Sequence, residues 1–342
     1  ASMLVGVIVA IVLAWRGAGY WALVAMHVTM AAVGTILLWL ACPWRPGRPV
    51  RRSGVRPMLG FGANLTAYNI INYFARNVDK ILLGRLYNSY VLGLYTKAHS
   101  LFMLPINQVR APLTIVAMPA LSHVQNEPRS YARYFYRFIS VLAFITMPMS
   151  GFLFVCSEDV IRLILGEQWI GAAPIFKILA FAGFIQAVET AAGLVPLSLG
   201  LGKRYLIWGT ARSLFIVMCF AVGVYWGSTG VATAYAIGEY LVLMPTLWYC
   251  LHGTHVSVGG FLRNMGRPAI ASVGATVATF VFRTHVVMWP SIYIFLSCLA
   301  IGVSSYLCIW LIVPGGLREL GDLLGYSRVL LCRRRSDRPI TD

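Results

Sequence analysis

The chain has 342 residues, of which 59% are hydrophobic and only 11% carry a formal charge. A soluble domain typically has about a quarter of charged residues, so this composition excludes a soluble globular protein and indicates an integral membrane protein. The formal net charge is nevertheless +17, and a nucleic-acid-binding protein would need that charge on one face of a soluble fold.

Apolar stretches of membrane-spanning length recur along the whole chain, and with a threshold of about 20 residues they predict about ten transmembrane helices. Short links join the helices, and no stretch between them is long enough for a soluble domain. The predicted helices cover residues 1–15, 20–42, 58–86, 89–121, 128–156, 172–200, 203–226, 229–251, 267–287 and 291–314. The sequence therefore predicts an all-α, polytopic transmembrane helix bundle.

The first predicted helix is shorter than a full span and begins without an initiator methionine or a charged segment. A signal peptide would show a basic segment, an apolar segment and a cleavage site in that order, and this pattern is not found. We therefore expect the chain to be a fragment whose upstream helices are missing.

Basic residues concentrate in alternate links between the predicted helices. Such a bias marks the cytoplasmic side of a membrane protein, so it predicts a cytoplasmic C terminus and a fixed orientation. It also explains most of the net charge without nucleic acid, and favours the lipid bilayer as the partner. The opposite links hold only Arg16 and Arg162. The basic residues of the first set are Arg45, Arg48, Arg51, Arg52, Arg56, Arg129, Arg133, Arg137, Lys203, Arg204, Arg263, Arg267, Arg318, Arg328, Arg333, Arg334, Arg335 and Arg338.

The sequence predicts no catalytic residue, metal site or cofactor. The seven cysteines have no paired spacing, and most of them lie in or next to the predicted helices, so neither a zinc site nor a disulfide framework is expected. The links between helices contain no Ser–His–Asp order, no metal-ligating cluster and no paired carboxylates.

The predicted helix 58–86 carries the strongest candidate for a functional surface. Its polar side chains fall within about half of the helix circumference, which a lipid-facing helix could not accept. We interpret this stripe as the wall of a cavity. For Asp79 alone, a structural ion pair with Arg76 is an equal alternative. The stripe consists of Asn64, Tyr68, Asn69, Asn72, Arg76, Asp79 and Lys80.

Later helices place further polar residues in apolar surroundings, where a charge is costly and usually faces a bundle interior or a wet cavity. Deep basic residues outnumber the acidic ones, which favours an anionic substrate. Arg110 could bind a phosphate bidentately or pair with one of the two glutamates. The glutamates could carry proton coupling, although structural pairing is favoured. These candidates are His99, Arg110, Gln186, Glu189, Arg212 and Glu239.

Several motifs resemble a known family. The sequence at 72–85 is NYFARNVDKILLGR and that at 92–98 is LGLYTKA, and both are similar to the seventh and eighth helices of Wzx-type polysaccharide flippases, in the branch that contains the colanic acid exporters. Further similarity lies in Pro105 with Pro112, PALS at 119–122, LGEQW at 165–169 and GVATAYA at 230–236. The resemblance covers about residues 1–252 well and the last two helices weakly.

The resemblance implies the fold of the multidrug/oligosaccharidyl-lipid/polysaccharide exporters, in which two six-helix lobes form a V around a central cavity. Parallel repeats of this kind are a known transporter architecture. Residues 1–42 then resemble the fifth and sixth helices of the first lobe, and 43–57 a basic cytoplasmic linker. Residues 58–251 resemble the second lobe, 267–314 two additional helices, and 315–342 a basic cytoplasmic tail. Most of the first lobe would be missing.

The implied function is that of a transporter and not of an enzyme. It would move undecaprenyl-pyrophosphate-linked oligosaccharide across the bacterial cytoplasmic membrane for surface polysaccharide synthesis, beside polymerase and glycosyltransferase machinery. No cofactor is implied, and coupling to a proton or sodium gradient is left open. Among the candidates, Arg76, Lys80, Arg110 and Arg212 would hold the anionic headgroup, whereas Asn64, Tyr68, Asn69 and Asn72 would face the sugar.

Three alternatives compete with this hypothesis. A drug or cation antiporter of the same superfamily would favour acidic residues in the cavity, against the basic excess. A polysaccharide polymerase or ligase would need a sizeable extracytoplasmic loop, and the longest such link, about 157–171, is too short. The chain could also be a non-transporting partner or a truncated product.

Overall fold

The computed structural model describes residues 2–42, 56–75, 77–286 and 290–312. Every regular element in these ranges is helical, which confirms the expected all-α bundle. The α-helices are α1 (Ser2–Trp15), α2 (Trp21–Ala41), α3 (Arg56–Ala75), α4 (Val78–Leu86), α5 (Ser89–His123), α6 (Pro128–Val155), α7 (Ser157–Leu165), α8 (Ala173–Ala192), α9 (Leu194–Ser198), α10 (Gly202–Gly223), α11 (Gly227–Leu251), α12 (Val258–His285) and α13 (Ser291–Ile312). Short 3-10 helices cover Glu167–Ala172 and Val224–Trp226.

Seven helical stretches of the described chain are long and apolar enough to cross a membrane, so the protein is a multi-pass membrane protein. One of them, Gly202–Leu251, contains the two packed helices α10 and α11. The 14 residues of α1 are apolar but shorter than a span. Helix α3 is not among the seven, since its asparagines and tyrosines lower its hydropathy.

The prediction of one continuous helix over 58–86 is wrong. The chain leaves the helix after Ala75 and resumes it at Val78, so α3 and α4 are separate. The side-chain amide of Asn77 donates to the carbonyl oxygen of Tyr73 at 2.7 Å, and its oxygen accepts from Lys80 Nζ at 3.3 Å. Asparagine side chains that bond to nearby backbone groups compete with helix formation, and this explains the break.

Two other predicted boundaries shift. Helix α12 begins at Val258 rather than at 267, because the side chain of Ser257 accepts a hydrogen bond from the backbone N–H of Gly260 at 3.1 Å and caps the helix. The predicted helix 172–200 is divided at Gly193 into α8 and α9. Helix α7 lies within the predicted link 157–171, where no helix was expected, and the other helices match their predicted ranges within a few residues.

The contacts divide the chain into two units, Ala1–Val55 and Arg56–Asp342. In the first unit α1 packs directly against α2. Gly6 allows this approach, since a Cβ atom there would lie 3.1 Å from the backbone oxygen of Met26. The linker predicted over 43–57 lies, apart from the start of α3, outside the described residues.

The described part of the second unit holds three apolar clusters, of which two are large. One contains the fully buried Phe102 of α5 and Phe176 of α8. The other contains Phe135 of α6, Leu247 of α11 and Phe261 of α12. Together they hold α5, α6, α8, α11 and α12 side by side.

Hydrogen bonds bring alternate links of the second unit together at the two ends of the bundle. At one end, the Tyr87 hydroxyl donates to the carbonyl oxygen of Val224 at 2.8 Å, and Arg283 donates to that of Val155 at 2.6 Å. At the other end, a ring nitrogen of His255 lies 3.2 Å from the carbonyl oxygen of Gln125. This grouping agrees with the alternate sets of links from which the orientation was predicted.

Helices α10 and α11 form an antiparallel hairpin that turns at Gly227, where φ is +72°. Close to the turn, the two backbones meet at Gly223 and Gly230. A Cβ atom on Gly223 would lie 2.6 Å from both the Cβ atom of Ala234 and the carbonyl oxygen of Gly230. Neither neighbour is the end of a flexible side chain, so the hairpin requires glycine at this position.

We therefore expect Gly223→Ala to reduce the free energy of unfolding by about 1–3 kcal/mol, because the added methyl group must push the two helices apart. The measurement is the thermal unfolding midpoint of the purified protein in detergent. Gly266→Ala in α12 is the matched control, since nothing lies within 4 Å of its added Cβ atom. Equal unfolding midpoints for the two variants would contradict this account of the hairpin.

Candidate functional site

A cavity of ≈ 490 Å³ opens among α3, α5, α8, α10 and α11, all within the second unit. Its lining is rich in polar side chains, in contrast to the apolar clusters that surround it. The polar and aromatic lining residues are Tyr68, Asn69 and Asn72 of α3, Arg110 and Thr114 of α5, Glu189 and Thr190 of α8, Tyr205, Trp208 and Arg212 of α10, and Thr246 of α11. Six residues of the predicted site therefore share one cavity.

Helix α3 comes close to α10 at this cavity because α10 has a glycine at the point of contact. The ring of Tyr68 packs directly on Gly209, where any larger side chain would overlap the ring. Tyr68 also meets Tyr205 edge to face, with ring centroids 4.5 Å apart. The contact turns the polar side of α3, with Asn69 and Asn72, towards the cavity.

Arg110 occupies the α5 wall of the cavity and is half-buried. Its guanidinium group donates to Thr190 Oγ1 at 3.3 Å and to Asn107 Oδ1 at 3.2 Å. Thr190 itself donates to the carbonyl oxygen of Gln186 at 2.9 Å. The guanidinium is thus oriented between α5 and α8 at the surface of the cavity.

Arg212 pairs with both predicted intramembrane glutamates. Its Nε atom lies 3.3 Å from Glu189 Oε1, and its Nη2 atom lies 2.7 Å from Glu239 Oε2. Thr246 adds a hydrogen bond to Glu189 Oε1 at 2.6 Å. Both glutamate side chains are only 1% exposed, whereas that of Arg212 is 20% exposed. We call Glu189, Arg212 and Glu239 the ion cluster.

The ion cluster changes the interpretation of the deep charges. Counting residues suggested an excess of positive charge, but the guanidinium of Arg212 is engaged by two carboxylates. The structural pairing favoured for Glu189 and Glu239 is therefore observed, and Arg212 is the residue that provides it. The cavity is polar, but it is less cationic than the numbers of basic and acidic residues in the predicted helices implied.

Other predicted site residues lie away from the cavity lining. Asp79 is 2% exposed and accepts a hydrogen bond from the Tyr95 hydroxyl at 2.9 Å. The ring of His99 stacks on that of Tyr95, with centroids 6.0 Å apart. Lys80 bonds to Asn77 at the helix break, as described above. The break between α3 and α4 thus separates this group from the asparagines of the predicted stripe.

Three predicted site residues remain: Gln186 and Asn64 lie outside the cavity lining, and Arg76 is not among the described residues. Gln186 donates to the Tyr235 hydroxyl, on the α11 side of the bundle. Asn64 is half-buried on α3, one helical turn before Tyr68, the first α3 residue of the cavity lining. Arg76 lies outside the described residues, so its pairing with Asp79 stays a prediction.

The sequence reasoning missed Thr246 and Trp208. Trp208 Nε1 donates to Thr246 Oγ1 at 3.2 Å, and Thr246 donates in turn to Glu189. Thr246 follows Glu239 by two helical turns, and this spacing places both residues on one face of α11. This spacing from Glu239 could have identified Thr246 in the sequence.

At the far end of the bundle, Arg283 ties α12 to the α6–α7 link. It lies 3.1 Å from Asp159 and 3.4 Å from Glu158, in addition to its bond to Val155. Burial raises the pKa of Asp159 above its usual value, while the charge of Arg283 acts in the opposite direction. This arrangement explains Arg283 as a structural residue.

The fold and the cavity define a class of protein, a multi-pass helical membrane protein that lines a polar cavity within an apolar bundle. Residues 1–174 match the model of the family described as polysaccharide biosynthesis protein. The match covers half of the chain, and the chain belongs to this family.

Individual relatives agree with this assignment. The chain is 24% identical over 262 residues to the teichuronic acid biosynthesis protein TuaB of Bacillus subtilis (strain 168), which covers 76% of this chain and 54% of that protein. It is 31% identical over 150 residues to the lipopolysaccharide biosynthesis protein WzxC of Escherichia coli (strain K12), covering 44% of this chain and 30% of that protein. The chain thus spans about half the length of TuaB, or less for WzxC.

A solved structure is similar in fold. The lipid II flippase MurJ, in an inward closed conformation, superimposes with a TM-score of 0.68 over 90% of this chain and 65% of that chain, at 15% sequence identity. At this identity the likeness shows that the two share a helical fold.

Removing the Thr246 donor should weaken the ion cluster. We expect Thr246→Val to reduce the free energy of unfolding by about 1–3 kcal/mol, since a buried acceptor loses a hydrogen bond. Thermal unfolding in detergent measures the effect. The control is Thr233→Val on the same helix, because Thr233 is exposed and donates only to the Thr229 carbonyl oxygen. If both variants behave alike, Thr246 does not support the cluster.

The Asp79–Tyr95 hydrogen bond should be separable from the cavity. We expect Tyr95→Phe to cost about 1–3 kcal/mol of unfolding free energy, because Asp79 is buried and loses its donor. A double-mutant cycle with Asp79→Asn measures the pairwise coupling. Strictly additive single and double variants would show that the two side chains do not stabilise each other.

Proposed function

We propose that the protein containing this chain moves a lipid-linked oligosaccharide, carried on undecaprenyl pyrophosphate, across the bacterial cytoplasmic membrane for surface polysaccharide synthesis. The observation that carries the proposal is the polar cavity inside an apolar bundle, with Arg110 on one wall and Tyr68, Asn69 and Asn72 on another. The family assignment and the helical fold shared with a lipid II flippase support it.

The cavity chemistry suits a glycan joined to a phosphate. A guanidinium group stays charged and donates two parallel hydrogen bonds to phosphate oxygens, which suits Arg110 for the headgroup. Asparagine amides both donate and accept, as sugar hydroxyls do, so Asn69 and Asn72 suit the sugar. The isoprenoid chain would remain among the lipids. Transport requires no covalent step, and we propose a transporter rather than an enzyme.

The orientation and the partners belong to the same proposal. Basic residues concentrate in alternate links, which supports a cytoplasmic C terminus, and the substrate would enter from that side. Glycosyltransferases that build the glycan and a polymerase that extends it would act before and after the transport step. Coupling to a proton or sodium gradient would supply direction, through differential binding in two conformations.

Complementation tests the proposal. The protein, expressed in a bacterial strain that lacks its own polysaccharide flippase, should restore surface polysaccharide, measured by extraction and by immunoblotting. Restoration of drug resistance without surface polysaccharide would contradict the proposal and favour a drug or cation antiporter.

Arg110 gives a sharper test. We expect Arg110→Ala to reduce polysaccharide export about tenfold or more at unchanged protein level, since a charge-assisted hydrogen bond contributes about 1.5–3 kcal/mol. Arg110→Lys should recover part of the export because it keeps the charge without the planar donors. Arg263→Ala is the matched control, an exposed arginine of α12 outside the cavity lining. Equal export by the Arg110 and Arg263 variants would exclude Arg110 from substrate binding.

A further inference from the structure

Two cysteine side chains meet at the end of the bundle where Arg283 ties α12 to the α6–α7 link. Cys156 lies between α6 and α7, and Cys298 lies about two turns into α13. Both residues are 0% exposed, both carry free thiols, and the two thiols are in hydrogen-bond contact with each other. Because the two residues are far apart in the sequence, their spacing along the chain does not indicate this contact.

The packing of α13 against α6 brings the two thiols together. About one turn before each cysteine, the rings of Phe152 and Phe295 meet edge to face, with centroids 5.3 Å apart. Further along the two helices, the Tyr306 hydroxyl donates to the carbonyl oxygen of Phe144 at 3.0 Å. The two sulfur atoms therefore belong to an interface that other side chains also hold in register.

The compartment at this end of the bundle favours a bond between the two sulfur atoms. The basic links are at the opposite end, which supports a position outside the cytoplasm for Cys156 and its link. Disulfides form and persist in oxidising compartments of this kind, whereas thiols in the cytosol are kept reduced. Cysteines whose side chains point apart cannot be bridged without backbone movement, but these two side chains already face each other.

We propose that Cys156 and Cys298 are a modification site, at which a disulfide joins the α6–α7 junction to α13 in the mature protein. The bond closes a loop of about 140 residues, and closing a loop of this length removes much conformational entropy from the unfolded chain. The inference is independent of what the protein transports.

The oxidant is a thiol–disulfide oxidoreductase of the extracytoplasmic compartment. The Cys156 thiolate attacks the disulfide of the oxidoreductase, one sulfur of that disulfide leaves as a thiolate, and a mixed disulfide forms. The Cys298 thiolate then attacks the Cys156 sulfur and displaces the second sulfur of the oxidoreductase. Two electrons pass to the oxidoreductase, and the two protons lost by the cysteines balance those that the released dithiol takes up.

The exchange takes place before α13 docks, because a fully buried thiol is unreactive. At that stage Cys156 is the first nucleophile. Arg283 donates to the carbonyl oxygen of Val155, the residue before Cys156, and its positive charge favours the thiolate, whereas Asp159 acts in the opposite direction. Once α13 covers the pair, the same burial protects the disulfide from reductants.

Differential labelling of thiols tests the bond. Membranes that contain the protein are dissolved in denaturant with N-ethylmaleimide and then reduced, and the newly freed thiols are labelled with deuterated N-ethylmaleimide. We expect mass spectrometry to find the deuterated label on Cys156 and Cys298 and the ordinary label on Cys250. Cys250 is the control, since it is also buried but lies near the end of α11, at the opposite end of the bundle.

The partner of each cysteine is identified in two ways. Digestion of the wild type without reductant should give one joined peptide that contains both Cys156 and Cys298. In Cys298→Ala the remaining Cys156 should take the ordinary label, and Cys298 should do so in Cys156→Ala. If a variant misfolds, the joined peptide of the wild type decides. The ordinary label on both wild-type cysteines, or a wild type without the joined peptide, would overturn the inference.

The oxidant and the stabilisation are tested separately. In a strain that lacks its extracytoplasmic thiol oxidoreductase, both wild-type cysteines should take the ordinary label, and a disulfide formed there would refute the enzymatic route. The thermal unfolding midpoint in detergent should fall by several degrees in either alanine variant and no further in the double variant, because each change removes the same bond. Additive decreases would show two independent contacts and contradict the disulfide.

Discussion

The guanidinium of Arg212, on α10, pairs with Glu189 of α8 and Glu239 of α11, and both glutamate side chains are only 1% exposed. Helices α8 and α11 pack directly against each other, and α10 packs against α11. Removing one partner of a buried ion pair leaves an uncompensated charge, at a cost of about 3–5 kcal/mol. The three helices must therefore keep their relative register. This constraint fixes the part of the cavity wall that α8, α10 and α11 form.

Further contacts between α10 and α11 hold the same part of the cavity wall along its length. Trp208 bonds to Thr246 and stacks on Tyr249 with ring centroids 5.2 Å apart, while Gly223 meets α11 at the hairpin. Helix α3 differs, since none of its described side chains is fully buried and the break at Asn77 separates it from α4. Local stability follows burial and contact density, so α3 is the less firmly held wall.

The sequence predicted the class of fold well because apolar length is a strong signal in a membrane protein, and nearly every helix lies close to its expected range. It failed at Asn77, where a side-chain bond to Tyr73 outweighs the apolar pattern. For the site, helical phase correctly grouped Tyr68, Asn69 and Asn72. It could not reveal that Arg212 lies between two glutamates from other helices, because pairing between helices depends on their packing and not on spacing along one of them.

The location of the acids bears on the choice between a glycan carrier and a cation antiporter. Carboxylates that bind a cationic drug must be reachable, yet Glu189 and Glu239 are 1% exposed and already share a guanidinium. The more exposed polar groups of the lining are the amides of Asn69 and Asn72, the ring of Tyr68 and the guanidinium of Arg110. Such a surface offers hydrogen bonds in both directions and one positive charge. It therefore matches a neutral glycan joined to an anion better than it matches an organic cation.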